Sequence, residues 1–175
     1  MSNYYLHSIN LTRTLIIGNS GSGKSWLAKR LAEHLQVPWI DLDLIHWISD
    51  EHSIARPRAE ALKMAKMAAN EERWIIEGVY GWMVSELVEQ ATALIWLCPE
   101  DEDCVSHIRQ REAKRNDSDE LLIALQEWAK TYRIREGSSG FAAHRHLFKA
   151  FRSSKLQLMN RAEVTAFVST MQKID

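Results

Sequence analysis

The sequence predicts an α/β fold, a five-stranded parallel sheet with helices on both faces and a helical lid. Three observations carry this expectation. Short β-branched and apolar runs alternate with stretches of helical period, the pattern of strands joined by right-handed crossovers. A glycine-rich loop separates the first such run from the first helical stretch. The interval between the fourth and fifth runs holds two or three helices where one would suffice, which implies the lid.

The first strand is predicted over 12–17, where β-branched and apolar residues end at Gly18. A helix over 24–35 then sets Leu27, Leu31 and Leu35 on one stripe. Four more short buried strands are predicted at 39–42, 74–76, 94–97 and 156–159, separated by helical patterns at 58–69, 82–90, 103–115, 121–132 and 163–171. No composition shift marks a boundary, so one domain over 1–175 is expected, with the lid inserted at about 101–153. Ligands in such folds bind beyond the carboxyl ends of the strands.

With 22 basic against 23 acidic residues, no overall field draws in nucleic acid or an anionic membrane. A small soluble partner fits better. No stretch reaches the apolar length of a membrane span, and Cys98 and Cys104 read as free thiols of a reducing compartment, so a cytoplasmic setting is expected.

The sharpest signal is Gly18-Asn19-Ser20-Gly21-Ser22-Gly23-Lys24-Ser25, which fits the P-loop signature G-x-x-x-x-G-K-[ST] between a strand and a helix. Glycines let the loop curl so that successive amides point at phosphate oxygens, and the helix N-terminus adds partial positive charge. Lys24 is expected to reach the terminal phosphates of ATP, and Ser25 to offer its hydroxyl to magnesium.

Asp41 and Asp43 end the second strand two residues apart, so strand alternation predicts that both project from one side. One of them could hold magnesium through water while the other accepts the proton of an attacking hydroxyl. The plainer alternative is that Asp43 caps the following turn. Glu77 ends the third strand, where an acid commonly serves magnesium. Arg111 and Arg115 lie four apart on one helix face at the opening of the lid and could clamp phosphate oxygens, the plainer alternative being a solvated helix face. Trp39, Trp74 and Trp96 sit in strand runs and read as core, whereas Trp47 and Trp82 follow strand ends and could line an acceptor pocket. His144 and His146 flank Arg145 with no cysteine or acid at ligand spacing, so no metal site is expected there.

Taken together, these segments resemble the small adenylate-kinase-like P-loop kinases, most closely the DNA topology modulation protein group. The matching residues are the P-loop, Trp39-Ile40-Asp41-Leu42-Asp43 with Trp47, Pro57-Arg58, Arg73-Trp74-Ile75-Ile76-Glu77-Gly78 with Tyr80, and Asn160-Arg161-Ala162-Glu163-Val164. The resemblance implies a P-loop NTPase fold, an acceptor arm after the second strand and an arginine pair, Arg111 and Arg115, opening the lid. It also implies that Arg58, Trp47 and Tyr80 join Asp43 on the acceptor side, that Arg161 joins the nucleotide side, and that Ser25, Asp41 and Glu77 serve the metal. The aspartate pair is similar to that of shikimate kinase, and Asp43 with His46 is similar to gluconate kinase. Adenylate kinase carries an arginine shortly after the third-strand acid. Val79-Tyr80-Gly81-Trp82 has none, which disfavours a nucleoside monophosphate acceptor.

The expected function is phosphoryl transfer from ATP with Mg2+ to a small acceptor: a nucleotide, a nucleoside or a small hydroxylated metabolite. The alternative is a nucleotide-binding regulatory ATPase without such an acceptor.

Overall fold

The computed structural model describes residues 9–48, 54–112 and 119–171. Its centre is β1 (Arg13–Gly18), an apolar strand whose Thr14 is buried because its hydroxyl donates to the Leu11 carbonyl. β2 (Trp39–Asp41), β3 (Trp74–Gly78), β4 (Ala93–Leu97) and β5 (Ser154–Leu158) complete a sheet of order β2-β3-β1-β4-β5. Every pairing is parallel, so all five carboxyl ends meet at one edge.

Alternation along the strands divides the core in two. Leu15, Ile17, Trp74, Ile76, Leu94 and Trp96 face α2 (Leu42–His46), α3 (Arg58–Ala69), α4 (Gly81–Leu87) and the later helix α7 (Phe141–Ala150). Ile16, Ile75, Ile95 and Leu97 face α1 (Lys24–Leu35) and α8 (Arg161–Met171). The indole of Trp74 can be wholly buried because its N–H donates to the Ala69 carbonyl at 2.9 Å. Helices on both faces of a five-stranded parallel sheet are the predicted architecture.

Three local differences from the sequence reading have physical causes. β2 stops at Asp41, because the Asp41 carboxylate accepts the Asp43 amide N–H at 2.8 Å and starts α2. Asp41 is therefore the cap and Asp43 lies inside a helix, so strand alternation does not relate the two. β3 continues to Gly78, which puts Glu77 within the strand and opposite Asp41 in register.

The third difference is α7, a helix with no counterpart among the sequence-predicted elements. Its Phe141, Leu147 and Phe148 pack on the sheet core, so the part of the interval that stands apart from the sheet is α5 (Asp101–Glu112) with α6 (Asp119–Lys130). Those two join through Val105, Ile108, Leu122, Leu125 and Ala129. No helix among the described residues is long and apolar enough to cross a membrane.

Candidate active site

The loop between β1 and α1 curls over the edge where the strands end. Lys24, only 9% exposed, donates from Nζ to the Asn19 carbonyl at 3.0 Å. The loop is held from outside as well. The Asn19 side-chain amide donates to the Ala129 carbonyl at 2.8 Å, and His107 Nδ1 lies 3.1 Å from the Gly21 carbonyl. Ser22 Oγ is buried with no hydrogen-bond partner. The unpartnered Ser22 hydroxyl, and the Lys24 ammonium with two N–H donors beyond the one given to Asn19, are groups that phosphate oxygens could satisfy.

Gly21 shows how tightly α5 closes on this loop. At φ +76° it is left-handed, and a Cβ there would lie 2.3 Å from the Cys104 carbonyl oxygen and 2.9 Å from Ile108 Cγ1. Gly21→Ala is expected to lower stability by about 2 to 4 kcal/mol, the sum of left-handed strain and overpacking. Chemical denaturation measures this, and a variant as stable as wild type would contradict the packing described.

Beside the loop, Glu77 is 2% exposed. Burial pushes its carboxyl up to about 7, nearby Lys24 opposes that rise, and Asp41 adds to it. The Ser25 hydroxyl also hydrogen-bonds Glu77. Ser25 and Asp41 thus both flank Glu77, the latter from the neighbouring strand position. Among the described residues no three His, Cys, Asp or Glu side chains gather as a metal cage. A hydroxyl and one or two carboxylates beside a glycine-rich loop of this kind would suit Mg2+, which keeps waters and takes few protein ligands.

Around Asp43, just after Asp41, the chain gathers a second cluster of side chains. The Tyr80 hydroxyl donates to Asp43 Oδ1 at 2.5 Å. Burial and then the Asp43 charge raise the Tyr80 phenol well above its ordinary range, so it remains a donor. The His46 ring sits 4.4 Å from that of Tyr80, 4.6 Å from Trp47 and 6.2 Å from Trp82. Burial lowers the pKa of His46 against the pull of Asp43, and its buried Nδ1 has no hydrogen-bond partner. The Arg58 guanidinium lies 4.5 Å over the Trp82 ring, a cation–π contact.

The structure thus gathers Asp43, Trp47 and Tyr80 around His46 and sets the exposed Arg58 on Trp82 at the edge of that cluster. Arg111 is exposed in the last turn of α5, and Arg115 lies outside the described residues. Arg161 is exposed at the start of α8, whose N-terminus is capped by Asn160 Oδ1 accepting from the Glu163 amide at 2.9 Å. Cys98 and Cys104 are free and buried, and burial pushes the Cys104 thiol up to about 12, so neither is poised as a nucleophile.

No family model matches the chain, and no curated protein matches it. Solved structures do. Shikimate kinase from Acinetobacter baumannii, in complex with shikimate, superposes with a TM-score of 0.58 at 14% identity, covering 97% of this chain and 96% of its own. A gluconokinase from Sinorhizobium meliloti gives 0.57 at 17% identity over 94% and 93%. Shikimate kinase from Bacteroides thetaiotaomicron gives 0.54 at 19% identity over 93% and 97%. The chain has the small P-loop kinase fold.

Within that fold, sequence reasoning missed two groups. His46 entered only through its neighbour Asp43, although the structure seats it among three aromatic rings. The other is His144, which is fully buried and bonded on both ring nitrogens, with burial lowering its pKa to about 4. Nothing local announces His144's partners, which lie 12 and 65 positions away.

Proposed function

We propose that this protein transfers the γ-phosphate of ATP to a hydroxyl of a small metabolite, as a member of the small P-loop kinases related to the DNA topology modulation group. The observation that carries the proposal is adjacency. A P-loop with Lys24 and Ser25, the Asp41 and Glu77 carboxylates, and the Asp43–Tyr80 pair line one edge of the sheet in that order.

Gly18 to Gly23 and Lys24 would cradle the phosphates, with Arg161 on the nucleotide side. Ser25, Asp41 and Glu77 would hold Mg2+, which offsets charge on the phosphates when bound. Asp43 would accept the proton as the acceptor oxygen bonds to the γ-phosphorus and the bond to the β–γ bridging oxygen breaks, releasing ADP. Tyr80 keeps Asp43 oriented. Arg58 offers a fork to an anionic group of the acceptor, and Trp47 walls the pocket. Arg111, with Arg115, would close from the α5–α6 lid over the transferring phosphate.

Asp43 would repel a phosphate oxygen while accepting a hydroxyl, so the pocket favours a hydroxylated acid over a nucleoside monophosphate. The shikimate held by one structural neighbour and the gluconate implied by another's name have that chemistry, which supports the choice. ADP release is to be measured against a panel of hydroxy acids, polyols, nucleosides and nucleoside monophosphates with Mg·ATP. Release that rises with a hydroxylated acceptor is the expected result. Release that no acceptor raises would replace this reading with the regulatory ATPase. With the best acceptor, Asp43→Asn is expected to lower kcat/KM on the order of 30-fold while ATP affinity holds. Wild-type kinetics in that variant would remove Asp43 from the acceptor site.

A further inference from the structure

After β3 the chain reverses within three residues. The Gly81 amide donates back to the Val79 carbonyl at 3.0 Å, and Tyr80 between them has φ −82° and ψ 81°, an inverse γ-turn. Such a turn has one internal hydrogen bond and depends on outside support to keep its shape.

That support comes from a residue 65 positions later. His144 Nε2 lies 3.0 Å from the same Val79 carbonyl and donates to it. Its Nδ1 accepts from the Tyr132 hydroxyl at 2.8 Å, and the Tyr132 oxygen accepts from the Trp96 indole N–H at 3.0 Å. The order of donors fixes one neutral tautomer of the ring. Trp96, Tyr132, His144 and Val79 are all buried, so water cannot substitute for a lost partner. Gly81 meanwhile lies so close to the Ser138 backbone carbonyl that a Cβ would fall 2.0 Å from its oxygen.

We propose that His144 is a positioning residue of the acceptor pocket, fixing the γ-turn that presents the Tyr80 hydroxyl to Asp43. The inference rests on the assignment of Asp43 and Tyr80 to the acceptor side. A strut from β4 through Tyr132 and His144 sets where Val79 stops, and the Tyr80 phenol follows from that point. His144 touches no reacting group itself.

Amide hydrogen exchange and binding of the Mg complex of a non-hydrolysable ATP analogue test this without any acceptor. Failure of this inference is thereby separable from failure of the kinase reading. His144→Phe is expected to speed exchange of the Gly81 amide by about tenfold relative to β1 and β4, with analogue affinity within about twofold of wild type. His144→Gln retains a donor toward Val79 and is expected to restore most of that protection. Tyr132→Phe removes only the hydroxyl and is expected to give a smaller loss at the same amide, so it stands in should His144→Phe not fold. Unchanged exchange at Gly81 in the folded variants overturns the proposal. So does a loss shared equally by β1 and β4, or one that His144→Gln does not relieve.

Discussion

Lys24→Ala is expected to lower kcat/KM for ATP by about 100-fold to 1,000-fold while the protein stays folded. The ammonium is nearly buried and donates to the Asn19 carbonyl, so it is already aimed into the loop that would receive the phosphates. In a site shielded from water, one charged donor to a phosphate oxygen that gains charge during transfer is worth about 3 to 4 kcal/mol. The fold tolerates the loss because the nearest acid can neutralise itself. Lys24 is the largest influence holding the Glu77 carboxyl down, and without it burial drives that group further toward its protonated form. The coupled ADP assay reads kcat/KM, calorimetric titration of an ATP analogue reads nucleotide affinity, and circular dichroism controls for folding. A folded Lys24→Ala variant with wild-type nucleotide affinity would remove the P-loop from the mechanism.

What the sequence made legible was whatever is encoded locally. The P-loop reads directly, because eight consecutive residues must satisfy one backbone path between a strand and a helix. The three central strands read almost as well, since strands buried on both faces are continuous apolar runs, whereas the edge strands β2 and β5, expected to be buried, are only partly so. The Asp41/Asp43 relation was misread because a carboxylate two residues before an amide can start a helix as readily as it can end a strand. Beyond that lie contacts between distant segments. Tyr80 meets Asp43 across 37 positions, and His144 meets Val79 across 65. No window along the chain contains both partners, so only the crossover connections bring them together. The α7 helix was hidden for a related reason: its apolar face is short and interrupted by His144, Arg145 and His146, and the first of these is buried only because Tyr132 and Val79 satisfy it.

Glu77→Gln is expected to move stability and activity in opposite directions. Burial raises the Glu77 carboxyl to about 7 from an ordinary value of 4.5, so the folded protein holds this proton over a range where the unfolded chain has released it. The stabilisation is therefore complete below about 4.5, declines as pH rises, and is lost once pH passes about 7. Glutamine carries no such titration. Without metal or nucleotide, the variant and wild type are expected to be similarly stable at pH 5. At pH 8 the variant gains on the order of 3 kcal/mol, the energy equivalent of the raised pKa. Adding Mg·ATP at pH 8 stabilises wild type more than the variant, because a cation beside Glu77 favours the ionised carboxylate. Turnover falls about 100-fold in Glu77→Gln, since the amide supplies neither charge nor a metal-binding oxygen of equal strength. Urea denaturation at the two pH values, with and without Mg·ATP, reads the first effect, and the coupled ADP assay reads the second. Equal stability at pH 8 together with wild-type turnover would mean that Glu77 is an ordinary solvated acid, and the metal side of the site would need to be rebuilt around Asp41 and Ser25 alone.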